Sequence, residues 1–181
     1  MLEIENKYPV TDFPRLEKAL AKLGAQPAVD RQDADHYFNA PDRDFAQTDE
    51  AFRIRRIGTH NHVTYKGPKI DRETKTRKEI EVPFAGGDEA AAKMIDLFTH
   101  LGYRPVAVVR KRRRTLELER EGFDLEICLD EVEQVGTFAE IEIVAEEKRF
   151  EAAKAVIQKL AVELGLGATE RRSYLQMQLS N

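Results

Sequence analysis

Predicted β-strands in this chain repeatedly place apolar residues on one face and ionised residues on the other. Side chains alternate across a strand, so residues two positions apart share a face. In the segment 2–8, Leu2 and Ile4 share one face, while Glu3, Glu5 and Lys7 share the other. Further segments show the same division, with polar faces formed by Arg53 and Arg55; Thr64 and Lys66; Arg77, Glu79 and Glu81; Asp124, Glu126 and Asp130; and Glu140 and Glu142. The chain must therefore build sheets that have one apolar and one ionic face.

Two arrangements of such sheets are compatible with the alternation. An open antiparallel sheet would pack helices on its apolar face and expose its polar face to water. Ordinary solvated faces mix Thr, Ser, Gln and Lys, whereas nearly every polar position here is Glu, Asp, Arg or Lys. A closed barrel with its ionic face inward explains this composition, but interior charges are costly unless they pair or hold ions. We therefore predict a closed barrel with helices outside and a highly charged ligand inside.

The strand and helix patterns together predict an α+β fold. Eight strands are predicted, at 2–8, 34–39, 51–57, 62–67, 76–83, 105–114, 123–130 and 138–144. Three long helices are predicted, beginning near Asp12, after Gly87 with Asp88 as the cap, and near Phe150, and a short fourth helix lies around Tyr174. Each long helix follows a Glu-Ile-Glu triplet and ends at Leu-Gly. Both an internal duplication and a chance recurrence of the triplet are compatible with this repeat.

Composition limits the class of protein and its partners. The 181 residues suit one domain, predicted to span 1–181. The balance of 29 Lys and Arg against 33 Asp and Glu argues against a general nucleic-acid binder, and the basic run 110–114 lies in a strand pattern. The single cysteine, Cys128, cannot form an internal disulfide, which favours a reducing compartment. The sequence shows neither an apolar run of about 18 residues nor a signal-peptide pattern, so we expect a cytoplasmic protein without a membrane or nucleic-acid partner.

A small, highly charged ligand would justify an ionic interior. A triphosphate carries about four negative charges near neutral pH, on oxygens that match guanidinium and ammonium groups. The cations predicted to bind it are Lys7, Arg53, Arg55, Lys66, Lys111 and Arg113. Hard oxygen ligands, which select Mg²⁺ or Mn²⁺, come from Glu3, Glu5, Glu140 and Glu142. No cluster of Cys and His indicates zinc, and His60 and His62 fall in the predicted turn 58–62, where surface residues are usual.

A series of short motifs runs along almost the whole chain. Glu3-x-Glu5-x-Lys7 comes first, and alone it is a weak pattern. The motifs that follow in order are Asp35-His36-Tyr37-Phe38, Phe52-Arg53-Ile54-Arg55, Tyr65-Lys66-Gly67-Pro68, Arg77-x-Glu79-x-Glu81, Lys111-x-Arg113, Leu129-Asp130-Glu131-Val132, Gly136-x-Phe138-x-Glu140-x-Glu142 and Ser173-Tyr174-Leu175. With these motifs the chain resembles the CYTH, or triphosphate tunnel metalloenzyme, superfamily, which includes class IV adenylyl cyclases, thiamine-triphosphatases and inorganic triphosphatases.

The resemblance implies an eight-stranded antiparallel closed barrel, the triphosphate tunnel, with helices packed outside. It implies a divalent metal, Mg²⁺ or Mn²⁺, held by Glu3, Glu5, Glu140 and Glu142, with Asp130 as a further ligand. The implied triphosphate contacts are Lys7, Arg53, Arg55, Lys66, Arg77, Lys111 and Arg113, with Glu79 and Glu81 as further lining residues. In thiamine-triphosphatases a Lys–Tyr dyad is thought to orient or deprotonate the attacking water. Lys66 and Tyr37 occupy the matching motifs here, and a packing role is the alternative for Tyr37.

Three functions are compatible with this resemblance. The first is a metal-dependent triphosphatase that hydrolyses an organic or inorganic triphosphate. The second is a class IV adenylyl cyclase, which converts ATP to cyclic AMP and pyrophosphate; that family tends to carry a His-Phe pair shortly before ExExK, whereas only Met1 and Leu2 precede Glu3 here. The third is a non-catalytic module that binds polyphosphate or nucleotide, for which cations alone would suffice. The first is favoured, with a small-molecule triphosphate as partner, and a homodimer is compatible with the sequence.

Overall fold

A computed structural model describes residues 1–71 and 74–180 of the chain. In that part, eight antiparallel strands form a barrel that closes in the order β1-β5-β4-β3-β2-β6-β7-β8. The strands are β1 (Leu2–Pro9), β2 (Gln26–Asn39), β3 (Ala51–Ile57), β4 (His60–Lys69), β5 (Arg77–Phe84), β6 (Arg104–Arg120), β7 (Phe123–Val132) and β8 (Gly136–Ala145). The closed barrel predicted from the alternating faces is therefore confirmed.

The helices in the described residues are α1 (Phe13–Lys22), α2 (Phe45–Thr48), α3 (Asp88–His100), α4 (Phe150–Glu163) and α5 (Tyr174–Ser180). α1 and α4 pack on the outside of the barrel, as predicted, whereas α5 packs Tyr174 and Met177 against inward-facing residues of the barrel. Asp12 caps α1, because its carboxylate accepts a hydrogen bond from the backbone of Arg15 at 2.9 Å. The predicted cap of α3 is wrong. Gly87 is the N-cap, with a φ of 87° that favours glycine, and Asp88 is the first helical residue, where its carboxylate pairs with Arg56.

Two strands are much longer than the sequence predicts, because each serves as the other's partner. The prediction placed β2 at 34–39 and β6 at 105–114, but β2 pairs with β6 from Gln26–Glu117 to Asn39–Arg104. The early part of β2, residues 26–32, is mostly exposed and its sequence QPAVDRQ shows no alternation of apolar and polar residues, so the pattern did not mark it as a strand; its pairing with β6 holds it extended. A two-residue turn at Gly58 and Thr59 joins β3 to β4. His60 and His62 therefore lie in β4 and not in the turn that was predicted.

The main apolar core lies between the outside of the barrel and two helices. The outward residues of β1, β6, β7 and β8 pack against α1 and α4. The large side chains that are fully buried in this core, from both strands and helices, are Ile4, Leu20, Ile127, Ile141, Ile157 and Leu160. Burial of such a side chain contributes about 1.5–3 kcal/mol. Because this core occupies the outer face, strand alternation sends the ionic residues of the same strands into the barrel. Within the described residues, no helix is both long and apolar enough to cross a membrane.

Candidate active site

The inward faces of the strands enclose a tunnel cavity of about 190 Å³. The predicted site residues that line it are Glu3, Glu5, Tyr37, Arg53, Arg55, Lys66, Arg77, Glu79, Glu81, Lys111, Arg113, Glu140 and Glu142. The lining also includes residues that were not predicted as site residues, namely Arg31, Ala51, Lys75, Glu126, Ser173 and Tyr174. Lys7 and Asp130 lie on the same inward faces but behind other side chains. The barrel thus brings most of the predicted residues to one cavity.

Three glutamates form a cluster in this cavity. Glu5 and Glu142 are direct partners across β1 and β8, and Glu3 lies two residues from Glu5 on the same face. One carboxylate oxygen from each of the three lies within 4.8 Å of the others. We call Glu3, Glu5 and Glu142 the three-carboxylate cluster. Three hard oxygen donors this close together can hold a metal ion of the Mg²⁺, Mn²⁺ or Ca²⁺ type.

The electrostatics of the three-carboxylate cluster also fit a cation. Burial raises the pKa of Glu142 well above its usual value; Arg113 opposes this shift, while Glu5 and Glu3 add to it. Burial also raises the pKa of Glu3, with Lys66 opposing. Carboxylates whose charges repel one another in a buried site hold protons unless a cation neutralises them. The donor set and its surplus negative charge therefore suit a divalent ion.

The other two predicted metal ligands are paired with cations instead. Glu140 accepts a hydrogen bond from Arg113 and lies 3.4 Å from the ammonium of Lys75. Asp130 is fully buried and accepts from Nε and Nη2 of Arg113 at 2.7 and 2.6 Å. Lys111 and the hydroxyl of Tyr174 also donate to Asp130, at 3.0 and 2.9 Å. In this structure Asp130 and Glu140 fix the orientation of the basic side chains.

A second buried carboxylate fixes two more guanidinium groups of the tunnel. Asp35 accepts from Nε and Nη2 of Arg55 at 2.7 and 2.8 Å and from Nη1 of Arg53 at 3.1 Å. Although burial raises the pKa of Asp35, the charges of Arg53 and Arg55 outweigh it and hold that pKa well below the usual value. The charged pair is therefore maintained at every ordinary pH. Because each guanidinium has five N–H donors, both arginines keep donors for an anion in the tunnel.

The predicted Lys–Tyr dyad lines the cavity, with each member held by a different partner. The ammonium of Lys66 pairs with Glu79, its neighbour across β4 and β5. The hydroxyl of Tyr37 accepts a hydrogen bond from Nη1 of Arg53 at 3.2 Å. The ring of Tyr37 belongs to a small apolar cluster at one end of the barrel, formed by Tyr37, Val109, Val132, Phe138, Tyr174 and Met177. Tyr37 thus combines a packing role with a hydroxyl that faces the tunnel.

Lys7 lies in an enclosed position behind Tyr174. Its ammonium donates to the carbonyl of Arg172 at 2.5 Å and lies 4.0 Å from the centre of the Tyr174 ring. Burial, together with the positive charge of Lys75, lowers the pKa of Lys7 to about 7, although Glu140 opposes this shift. Lys7 is fully buried, so the predicted contact with phosphate would require the segment around Tyr174 to move.

Sequence reasoning missed two residues that organise the tunnel, although the signal for one of them is present. Lys75 lies two positions before Arg77, in the segment that precedes β5, and its ammonium enters the tunnel beside Glu5. Asp35 lies two positions before Tyr37 on an inward face, and only its motif was noted. The inward position of Cys128 also went unnoticed: it is buried on the inner face of β7, and its thiol donates to Glu126 at 3.2 Å. Spacing of two identifies Asp35 and Cys128 as inward-facing, whereas Lys75 is outside the strand to which that period applies.

Comparisons with known proteins match this architecture. The family model described as CYTH domain matches residues 1–174. A protein of Methanocaldococcus jannaschii named "Putative adenylate cyclase" is 37% identical over 182 residues, with 98% of this chain and 98% of that protein covered. The match therefore extends over nearly the full length of both proteins.

Solved structures show the same fold. The PH1819 protein of Pyrococcus horikoshii is 37% identical to this chain, covers 98% of it over 98% of its own length, and superposes with a TM-score of 0.86. A Hippeastrum protein, described as a "putative adenylyl cyclase" that reveals a dominant triphosphatase activity, is 18% identical and has a TM-score of 0.69 over 98% of this chain and 95% of its own. On the family match over residues 1–174, this chain belongs to the CYTH family.

Proposed function

We propose that this protein is a metal-dependent triphosphatase that hydrolyses the terminal phosphoanhydride bond of an organic or inorganic triphosphate. The observation that carries the proposal is the division of one cavity into two kinds of lining. The three-carboxylate cluster lies on β1 and β8, and guanidinium and ammonium groups, several of them fixed by the carboxylates Asp35, Glu79, Asp130 and Glu140, line other walls of the tunnel. A triphosphate would neutralise the basic side chains, and a divalent cation would neutralise the three-carboxylate cluster.

The basic side chains supply the binding site for the triphosphate. Arginine forks match the oxygens of phosphate in pairs, and a lysine ammonium contributes a compact point charge. Arg53 and Arg55 are oriented by Asp35, and Arg113 by Asp130, so these groups need little reorganisation when the substrate enters. Preorganised donors of this kind stabilise charge that develops on phosphate oxygens during the reaction.

The three-carboxylate cluster would hold Mg²⁺ or Mn²⁺. When bound there, the ion supplies charge neutralisation on the phosphate oxygens and Lewis-acid polarisation. Glu140 and Asp130 have a different role in this proposal, since they orient Arg113 and Lys111 and do not bind the ion. This proposal therefore has three carboxylate ligands, whereas the family resemblance implied five, namely Glu3, Glu5, Asp130, Glu140 and Glu142.

Lys66 and Tyr37 would act on the attacking water. We assign Lys66 to the orientation of the water at the terminal phosphorus, because its ammonium projects into the cavity and Glu79 holds it in place. The water oxygen bonds to phosphorus, the bridging P–O bond breaks, and the proton lost from the water passes to solvent. The hydroxyl of Tyr37, fixed by Arg53, would hold the same water or the phosphate oxygen next to it.

A class IV adenylyl cyclase is the second candidate, favoured by one observation in the structure. A side chamber of about 130 Å³ adjoins the tunnel and shares Tyr37, Ala51, Arg77 and Ser173 with it. Its remaining lining includes the apolar side chains of Phe45, Phe52, Val106, Leu175 and Leu179. Apolar side chains next to the tunnel provide a surface against which part of a nucleotide base could pack. The name of the Methanocaldococcus jannaschii relative is consistent with this alternative.

Product analysis separates the two reactions. Purified protein would be incubated with inorganic triphosphate, thiamine triphosphate or ATP in the presence of Mg²⁺ or Mn²⁺, and the products would be resolved by phosphorus NMR. The triphosphatase releases orthophosphate, whereas the cyclase releases pyrophosphate and cyclic AMP from ATP. Glu142→Gln should be inactive, and Glu151→Gln, at an exposed position on α4 outside the barrel, is the matched control. Binding of triphosphate without any product from the three substrates would instead indicate the non-catalytic module.

A further inference from the structure

Lys75 places a positive charge inside the tunnel, directly on a member of the three-carboxylate cluster. Its ammonium pairs with Oε1 of Glu5 and lies 3.4 Å from Oε1 of Glu140. The Lys75 side chain is 12% exposed, so solvent screens the pair only slightly. Lys75 thus contacts a carboxylate that the three-carboxylate cluster would offer to a metal ion.

The backbone around Lys75 is fixed. The backbone N–H of Lys75 donates to the carbonyl of Glu5 at 2.9 Å, so this residue crosses the junction of β1 and β5. The neighbouring side chains of Thr74 and Thr76 are fully buried, and their hydroxyls lie 2.7 Å apart. Within the described residues, the register between β1 and β5 is recorded at one pair, Glu3 with Arg77. The backbone of Lys75 is therefore fixed at a narrow junction of the barrel. Its long side chain, in contrast, can still change direction.

An ammonium and a divalent ion compete for Glu5. Both need the negative charge of the same carboxylate, and at contact distance in a buried site they repel each other strongly. The repulsion is relieved if the Lys75 side chain leaves Glu5 when the ion enters. Its closest alternative carboxylate is Glu140, which Arg113 already neutralises. A triphosphate in the tunnel would provide a new partner for the released ammonium.

We propose that Lys75 is a tethered counter-ion: it occupies Glu5 in the metal-free tunnel, leaves Glu5 when a divalent ion binds, and then contacts the triphosphate. This inference rests on the metal site proposed above. It makes metal and triphosphate binding cooperative, because the ion releases an ammonium that the triphosphate can neutralise. Such coupling is reciprocal, so the triphosphate must strengthen metal binding by the same factor.

The test is the affinity for Mn²⁺ alone, measured from the electron paramagnetic resonance signal of the free ion without any triphosphate. Lys75→Met should bind Mn²⁺ about tenfold more tightly than the wild type, within the range usual for coupled sites. Lys75→Arg keeps the charge and should bind like the wild type. The matched control is Lys69→Met, because Lys69 is 14% exposed and pairs with Asp49, outside the three-carboxylate cluster. Equal or weaker Mn²⁺ binding by Lys75→Met would overturn the inference.

A second measurement uses the wild-type chain and does not depend on how the variant folds. Nitrogen-15 NMR of the lysine ammonium groups would follow Lys75, whose signal is assigned by its absence from Lys75→Arg. Saturation with Mg²⁺ should shift this signal, and an unchanged signal at saturation would refute the release of Lys75. If the wild type and every variant bind neither Mn²⁺ nor Mg²⁺, the metal site itself is wrong, which is a different failure from that of Lys75.

Discussion

Glu140 and Glu142 lie two residues apart on the inner face of β8, yet their electrostatic surroundings are opposite. Burial by itself favours a higher pKa for both carboxylates. For Glu140, the charges of Lys75 and Arg113 outweigh burial and hold the pKa well below its usual value. For Glu142, Arg113 opposes burial less effectively and neighbouring carboxylates add to the upward shift. Glu140 is therefore an anchor for Arg113, whereas Glu142 is a carboxylate that needs a cation.

We predict that metal binding and turnover depend on Glu3 and Glu142. Glu3→Gln or Glu142→Gln keeps the size of the side chain and removes a charged oxygen ligand, so Mn²⁺ affinity should fall and turnover should collapse at ordinary metal concentration. The measurement is Mn²⁺ titration together with phosphate release, with Glu151→Gln, at an exposed position on α4, as the control. Undiminished activity in EDTA, or in both glutamine variants, would exclude the three-carboxylate cluster as the metal site.

Lys66→Arg and Tyr37→Phe should separate phosphate binding from action on the water. If Lys66 only neutralised phosphate, arginine would preserve the rate of the chemical step. Because we assign Lys66 to the orientation of the attacking water, and a guanidinium is larger and places its N–H donors in a different geometry, we expect that rate to fall by about 10²-fold or more. Tyr37→Phe removes one hydroxyl and should show a related loss without unfolding. Single-turnover kinetics at saturating substrate and metal measure this step; near-normal rates in both variants would reduce Lys66 to a phosphate contact and Tyr37 to packing.

Asp35→Asn should destabilise the barrel. The substitution leaves Arg53 and Arg55 without the carboxylate that both contact, and removal of one member of a buried ion pair costs about 3–5 kcal/mol. Urea unfolding monitored by circular dichroism gives the free energy of unfolding. Asp30→Asn, on the same strand, is the matched control, because Asp30 pairs with Arg112 at the exposed surface and its loss should leave the unfolding midpoint unchanged. Equal effects of the two variants would contradict a structural role for the buried pair.

The folded protein should gain stability with rising pH through Lys7. Its pKa is about 7 in the folded chain and 10.5 ordinarily, so between these values the unfolded state binds one more proton and stability rises with pH. The slope from this single group is at most about 1.4 kcal/mol per pH unit. In metal-free protein, the free energy of unfolding of the wild type relative to Lys7→Met should increase from about pH 7 to about pH 9. A difference that does not change with pH, as expected for the exposed control Lys93→Met, would contradict the enclosed position of Lys7.

The orientation of side chains was predictable from the sequence because the two-residue period of a strand is exact. Glu3, Glu5, Arg53, Arg55 and Lys66 face one tunnel for this reason. The closed barrel followed from the composition of the polar face, because nearly every position on it is ionised and an ordinary solvated face is not. These inferences needed no knowledge of which strands are neighbours.

The groups that each charged side chain contacts were not predictable from the spacing of residues along a strand. Whether Glu140 binds a metal or Arg113 depends on the register between β6, β7 and β8, and local sequence does not set that register. The enclosure of Lys7 depends on where the segment around α5 packs. That segment is far from Lys7 along the chain, since the hydrogen bond between Lys7 and Arg172 joins residues 165 positions apart. Lys75 was missed because it precedes β5, which begins at Arg77, so strand alternation does not place its side chain.

The central claim is that water attacks the terminal phosphorus of a triphosphate in this tunnel. The direct measurement is turnover of ATP in oxygen-18 water with Mg²⁺ or Mn²⁺, followed by phosphorus NMR, in which oxygen-18 shifts the signal of the phosphorus that carries it. The triphosphatase predicts one oxygen-18 atom in the released orthophosphate and none in the ADP. Unlabelled pyrophosphate accompanied by cyclic AMP would contradict the claim, because the attacking oxygen would then be the 3′-hydroxyl of the substrate itself.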